Sequence, residues 1–485
     1  MVTNGLSILP NTIGTDLSRG HPLLFHFIAG LWATLFGATN TSLHTFSLLL
    51  ATILLILVYF VGSKLGSTQI GMAALLLIGL NEMFLAQSTI FLPEIALAIS
   101  LLLAAWAYIN RNIAGYIAAA TCSLFIKESA VVFIIALICW HVISVLLANP
   151  HGKPQARWIW ITIILSPLIP AFLFLLYQRL TYGWFFYPIH LGLISLDVRD
   201  IHYLFKFGYR DLFEQQGMEW ATLAFGLLAP LAWKGWQKRY TGLIVVIIYV
   251  ATIKVLDGKW PLPPFLTLLV TFACLGATLI LQFIPLRKQE GFRGEFPAIS
   301  LIFVIGFLLF SAMNFFTDRY LICLLPFVSL SLSAVLYSSL HPWHKAIFPV
   351  VILIISTNLC WNIGRDRRVG DTRLSYVDDI HVHQLLITEC EKLKMQDSIF
   401  YGSFMDIAYM TDFNAGYLKE KHAFQHVTNI LSSKTQFAIV DQGSPSELKP
   451  HLISLGFTEE KIYRSGPAWC AIFERTGNPP TSNEE

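Results

Sequence analysis

The sequence predicts an all-α polytopic membrane domain of about twelve transmembrane helices plus one outer interfacial helix, followed by a small α/β soluble domain. Three observations carry that expectation. Twelve apolar blocks succeed one another from Ser42 to Trp361. Hydrophobic residues make up 55% of the 485 residues and charged residues only 13%. After Trp361 the chain turns polar and its apolar residues fall into short, alternating patterns. A hydrocarbon core about 30 Å thick takes about 20 apolar residues per helix. Leu43–Tyr59, Ser129–Leu147, Trp158–Tyr177, Phe265–Phe283 and Ile299–Phe315 approach or reach that length. The chemistry of such a chain belongs at a membrane surface or in a membrane cavity.

Taken in order, the first residues are polar and turn-rich and show no signal peptide. His21 to Gly37 is apolar but spans only about 25 Å as a helix, short for a crossing. Pro22 suits a first helical turn and Gly37 its end. His21, His26 and Trp32 give the segment interfacial character, so 21–37 reads as a helix on the outer surface. A short tilted span is the alternative. The expected spans are 43–62, 68–86, 89–109, 113–126, 129–148, 157–178, 217–233, 240–255, 261–284, 297–315, 319–339 and 344–361. Lys127-Glu128 separates the fourth from the fifth. One set of short loops carries Lys64, Arg111, Lys153, Arg157, Lys234, Lys238, Arg239, Arg287, Lys288, Arg293 and Lys345. The positive-inside rule makes this set cytoplasmic. The N-terminal segment, the 179–216 loop and the tail are then expected outside.

The expected domains are 1–364 in the membrane and 365–476 as a soluble α/β unit, with 477–485 a disordered end. In the tail, Val377–Leu393 has helical spacing of apolar residues and Ser446–Leu455 reads as a helix. Ser398–Tyr401, Gln436–Val440, Ile462–Arg464 and Trp469–Phe473 read as strands. Asp378-Asp379 with His381 and His383 has a metal-like look, but acidic residues at a helix start are more simply explained by the helix dipole.

The formal net charge of +3 is too small to suggest a nucleic-acid partner. The seven cysteines show no Cys-x-x-Cys and no metal-type spacing, so neither metal nor cofactor is expected. Cys390 and Cys470 could pair in an oxidising compartment; two free thiols are the alternative.

Ionisable side chains inside apolar spans cost something like 2.5–3.5 kcal/mol each and need a reason. Glu94 follows Pro93 at the outer end of a span. Lys127-Glu128 and Asp318-Arg319-Tyr320 lie on the same expected side. The outer loop adds Trp184, Tyr187 and His190, then Asp197-Val198-Arg199-Asp200. Their shared side is the layout of an outward-facing cavity for an anion, with Lys127 and Arg319 as its cations. Local ion pairs, Lys127 with Glu128 and Asp318 with Arg319, are the alternative reading.

Four stretches together resemble the GT-C glycosyltransferases, in particular the bacterial branch of the dolichyl-phosphate-mannose–protein mannosyltransferase family, which includes aminoarabinose transferases. They are Gly20-His21-Pro22-Leu23-Leu24 running to Leu35-Phe36-Gly37, Gln87-Ser88 through Pro93-Glu94, Phe125-Ile126-Lys127-Glu128-Ser129, and Arg319-Tyr320-Leu321 to Leu325-Pro326. The resemblance covers roughly residues 15–340. It implies a GT-C-like fold and transfer of a sugar from a polyprenyl-phosphate donor to a lipid, glycan or protein acceptor at the outer face of a bacterial inner membrane. By the same resemblance, Lys127, Arg319, Tyr320 and His21 hold the donor phosphate, and Trp184, Tyr187 and His190 line the cavity. An inverting transfer needs a carboxylate base. In the family this is an Asp after an initial span, well before the His-Pro. Here only Asp16 precedes it, so that first span and base are expected to be missing, with Asp16, and Glu94 in reserve, as the catalytic candidates. A transporter or flippase of a lipid-linked or anionic solute, and a catalytically silent polyprenyl-phosphate-binding relative, stand as the alternatives.

Overall fold

The computed structural model describes residues 5–9, 12–146, 154–215, 218–222, 247, 295–314, 316–340 and 343–476. The chain divides into two compact units, Met1–Ile363 and Gly364–Glu485.

The first unit is helical. Its described helices are α1 (Thr15–Ser18), α2 (Leu24–Phe36), α3 (Asn40–Leu65), α4 (Thr68–Gly79), α5 (Glu82–Gln87), α6 (Glu94–Ile109), α7 (Ile113–Ile126), α8 (Val131–Leu146), α9 (Pro154–Leu165), α10 (Leu168–Tyr182), α11 (Pro188–Leu191), α12 (Val198–Phe213), α13 (Glu295–Met313), α14 (Leu325–Ser339) and α15 (His344–Asn362). Six stretches among the described residues are long and apolar enough to cross a membrane: Asn40–Leu65, Glu128–Val145, Trp158–Tyr182, Glu295–Met313, Asp318–Ser339 and Lys345–Asn362. The protein is therefore a multi-pass membrane protein. The expected spans 217–233, 240–255 and 261–284 lie outside the described residues.

Two expected spans come out shorter. The 68–86 block is two helices, because the Asn81 side chain caps a new one by accepting from the Phe84 N–H. The 89–109 block begins only at Glu94, after Pro93, while the 113–126 helix keeps its expected bounds and ends where Lys127 turns extended. With 16 residues, α6 is about 24 Å long. Twelve of its sixteen residues are buried, Glu94 included, so most of its surface faces the interior of the unit.

Small residues allow the tightest crossing. At Gly62 of α3 an added Cβ would lie 2.6 Å from the Gly71 Cα of α4. The two backbones touch, as small-residue crossings do where no water is available to drive association. Ionic groups mark opposite ends of α6. Glu94 opens it, while beyond its other end Arg111 reaches Glu295, the first residue of α13, at 3.7 Å. At the far end of α13 the Ser195 N–H donates to the Met313 carbonyl, tying down the loop after α10. That loop is itself ordered by α12, whose Ile201, Phe205, Gly208, Tyr209 and Leu212 share one buried face.

The second unit has a five-stranded sheet in the order β2-β1-β3-β5-β4, from β1 (Ile399–Tyr401), β2 (His426–Thr428), β3 (Phe437–Asp441), β4 (Phe457–Ser465) and β5 (Ala468–Arg475). β1 pairs parallel with β2 and β3; β5 pairs antiparallel with β3 and β4. Helices α16 (Tyr376–Lys392), α17 (Phe404–Thr411) and α18 (Leu448–Ser454) complete it. Val382, Leu386 and Cys390 of α16 form a core with Phe400 of β1 and Cys470 and Ile472 of β5. The two cysteines are separate buried thiols, and the Cys470 thiol donates to the Val382 carbonyl. Sequence periodicity misses β2 and α17. β2 is three residues long, and α17 is set by a capping box between Ser403 and Asp406 rather than by apolar spacing.

Candidate functional site

Three chain segments meet at the Glu94 end of α6. Glu94 itself is 2% exposed. At the α7–α8 junction Lys127 has extended backbone, φ −157° and ψ 128°, between the end of α7 and the 3₁₀ turn Glu128–Ala130. Extended backbone sends successive side chains to opposite sides. Lys127 reaches Glu94, Nζ to Oε1 at 3.0 Å, while Glu128 turns away toward His21. The local Lys127–Glu128 pair is thus not the partnership adopted; each side chain has a distant partner. The third segment is the 3₁₀ turn Asp318–Leu324 leading into α14. From it Arg319 approaches the same Glu94 oxygen, Nε at 3.8 Å, and Tyr320 lies under both cations. Lys127 Nζ is 3.4 Å from the Tyr320 ring centroid and Arg319 Cζ 5.9 Å. The second Glu94 oxygen, Oε2, is buried without a hydrogen-bond partner among the described residues.

Two cations face one buried carboxylate oxygen and one aromatic face, with Lys127 largely buried and Arg319 about a third exposed. Such a site can take up an anion, with Arg offering a fork of N–H donors and Lys a compact point charge.

Next to it lies a second group. The His21 Nδ1–H donates to Glu128, 2.8 Å from Oε1 and 3.1 Å from Oε2. The His190 ring stands 4.8 Å from the His21 ring. From there an aromatic series runs through Tyr187 and Trp184 to Tyr182, with centroid steps of 5.6, 5.6 and 5.3 Å. His21 is held in place by its neighbour. Gly20 has φ +71°, and a Cβ there would lie 2.9 Å from Trp184 Cζ3 and 3.2 Å from Tyr187 Cβ. The Gly20 carbonyl accepts from the Gln178 side chain at 2.7 Å, and Gln178 is 1% exposed. Asp16 lies in α1; its side chain is outside the described residues.

Of the residues expected from sequence, the structure brings Glu94, Lys127, Arg319 and Tyr320 into one cluster, and His21, Trp184, Tyr187 and His190 into the other. Sequence reading passed over Gln178 and gave Gly20, part of the Gly20–Leu24 stretch, no role of its own. The only signal for Gln178 was a polar residue in an apolar stretch, and a glycine beside His-Pro carries no partner in its identity.

A third cluster is internal to the second unit. His383 is 2% exposed. Its Nδ1–H donates to the Asp379 carbonyl at 2.8 Å, while Nε2 lies 3.5 Å from Asp406 Oδ1 and 3.6 Å from Asp441 Oδ2. Burial works against a charged imidazole here, but the Asp441, Asp406 and Asp379 carboxylates outweigh it and raise His383 to about 9. Burial raises the Asp379 and Asp406 carboxyls; Asp441, despite its burial, is held low by His383 and Ser444. The acidic start of α16 therefore does more than meet the helix dipole: Asp379 is one wall of a cage around an imidazolium.

The first unit is thus a polytopic membrane fold with a cationic cluster at one end of its helices. No protein-family pattern matches the chain, and no curated protein matches it either. Among solved structures it is similar to ArnT from Cupriavidus metallidurans bound to undecaprenyl phosphate, at 12% identity and a TM-score of 0.36, over 95% of this chain and 89% of that one. At that identity and superposition the likeness decides nothing about chemistry.

Proposed function

We propose that this protein is a membrane glycosyltransferase that moves a sugar from a polyprenyl-phosphate donor to a hydroxyl acceptor at the outer face of a bacterial inner membrane, with the second unit on the periplasmic side. The observation that carries this reading is the convergence of Lys127, Arg319 and Tyr320 on Glu94. These residues come from three of the four stretches that resemble the GT-C family.

In this reading the lipid tail lies among the helices and the donor phosphate sits between Lys127 and Arg319. Both cations stabilise the charge that builds on the phosphate as the bond from the sugar carbon breaks. Glu94 holds the cations in place before the lipid arrives. At 2% exposure, and engaged with both, it offers an acceptor hydroxyl no open path to its oxygens. In this reading Glu94 is the charge partner rather than the base, and Asp16 stays the candidate within this sequence for taking the acceptor proton. His21, Trp184, Tyr187 and His190 form a wall beside the phosphate, where flat rings suit the faces of a sugar.

The buried state of Glu94 also favours a second reading, a silent protein that binds polyprenyl phosphate without transferring a sugar. Proteoliposomes loaded with polyprenyl-phosphate donors carrying labelled sugars separate the two. Transfer to a lipid, glycan or protein acceptor, lost in Lys127→Ala and Arg319→Ala, supports the transferase. Lipid binding that both substitutions abolish, with no transfer from any donor, supports the silent reading. Net lipid flux without transfer supports a flippase. Binding unchanged in both variants overturns the phosphate site.

A further inference from the structure

We propose that His21, Glu128 and His190 form a binding site for a zinc-class divalent metal ion. The three come from separate segments: the chain ahead of α2, the α7–α8 turn, and α11. Each offers one ligand atom, and those atoms all lie within 4.8 Å of one another. Metal–nitrogen and metal–oxygen bonds of about 2.0–2.1 Å in a tetrahedron put neighbouring ligand atoms about 3.3 Å apart. His21 Nδ1 and Glu128 Oε2, at 3.1 Å, already stand near that spacing. His190 is the third member, its ring 4.8 Å from that of His21 and its ligand atom within 4.8 Å of the other two.

The donor set selects the ion. Two imidazoles and one carboxylate suit zinc, cobalt or iron; magnesium and calcium prefer all-oxygen shells. Three protein ligands also leave a position open, the arrangement of metal sites that take an exogenous ligand rather than of closed structural ones. The surroundings are built to hold the ligands. Gly20, immediately before His21, is pressed on Trp184 and Tyr187, and its carbonyl is held by the buried Gln178. Tyr187 in turn packs edge-on against His190. Such outer contacts fix ligand direction and raise affinity. Lys127 is the residue before Glu128, so the ion would add positive charge beside the cationic cluster. Binding itself does not depend on the transferase reading.

The test uses the full chain in detergent, stripped with a chelator and titrated with Co²⁺, whose visible ligand-field absorption reports four-coordinate binding; zinc affinity follows by competition. The unaltered chain is expected to bind one equivalent, and His190→Ala and Glu128→Gln to weaken binding at least tenfold. His422→Ala, on the surface of the second unit, is the control and leaves it unchanged. Gel filtration and circular dichroism establish that each variant is folded. Less than half an equivalent bound by the unaltered chain, or an affinity within threefold of it in either ligand variant, overturns the site. Because no sugar transfer is read, this result stands apart from the outcome of the transfer assay.

Discussion

Lys127 and Glu94, 33 positions apart, meet at 3.0 Å where two helices of the membrane unit end, and the Tyr320 ring closes over the ammonium at 3.4 Å. A charge pair this enclosed is held by the cost of separating it. Each partner has given up water and depends on the other.

Replacing one partner should therefore hurt more than replacing both. Lys127→Met leaves Glu94, among the described residues, with Arg319 at 3.8 Å as its cation and should cost about 3–5 kcal/mol. The double variant Lys127→Met with Glu94→Gln should recover most of that loss. Cys323 is fully buried, so in a background with the other six cysteines replaced the temperature at which its thiol reacts with a fluorogenic maleimide reports unfolding. A double variant no more stable than Lys127→Met would show that the pair is not coupled.

Tyr320 should act through its ring face rather than its hydroxyl. Tyr320→Phe is expected to keep polyprenyl-phosphate binding within twofold, whereas Tyr320→Leu should weaken it about five- to thirtyfold, the equivalent of roughly 1–2 kcal/mol of cation–π attraction in a desolvated site. Binding measured with a fluorescent polyprenyl phosphate distinguishes them; equal losses in Phe and Leu would assign the effect to the hydroxyl.

Gly20→Ala combines two penalties, a positive φ and a Cβ aimed at Trp184 and Tyr187. The conformational part alone is about 1–2 kcal/mol. The expected result is a loop that opens: limited proteolysis between residues 183 and 197 should accelerate, while cleavage in the second unit stays as before. An unchanged pattern would mean the loop tolerates the displaced ring.

The second unit should weaken in alkali. His383 sits at about 9 in the folded chain against 6.5 for the free side chain. A raised folded value stabilises fully below the unfolded value and is lost as pH rises through the folded one. Protection of the 376–392 amides against hydrogen exchange, corrected for intrinsic rate, should fall as pH rises from about 6.5 to 9 and level off above it, by an equivalent of about 3 kcal/mol. His383→Gln should remove that pH dependence and destabilise the unit at pH 7, since three buried carboxylates lose their cation. A variant with the same alkaline slope would place the titrating group elsewhere. At the acid end the sign reverses for Asp441: held low, it stabilises above 3.8, and that support is lost as pH falls below this value.

Much of the architecture was open to reading from the chain alone. Apolar length and periodicity are local quantities, so the long spans, the break at Lys127-Glu128 and helix α16 could be read without knowing what they touch. The cost of charge in lipid singled out Glu94, Lys127 and Arg319 for the same kind of reason, since the penalty belongs to the residue, whatever its partner; Tyr320 came from the resemblance of its stretch. Partners are another matter. Sequence adjacency offered Glu128 to Lys127, but the extended backbone at Lys127 turned the two side chains apart, and helix packing supplied Glu94 to one and His21, 107 positions away, to the other. The same holds for His383, whose charge is set by Asp406 and Asp441 arriving from α17 and β3, and for Gly20, whose need for glycine comes from two aromatic rings more than 160 positions later. Hydrophobic pattern and charge cost are properties of a segment, which a sequence carries in full. Which buried charge meets which depends on how helices cross, and only the folded chain decides that.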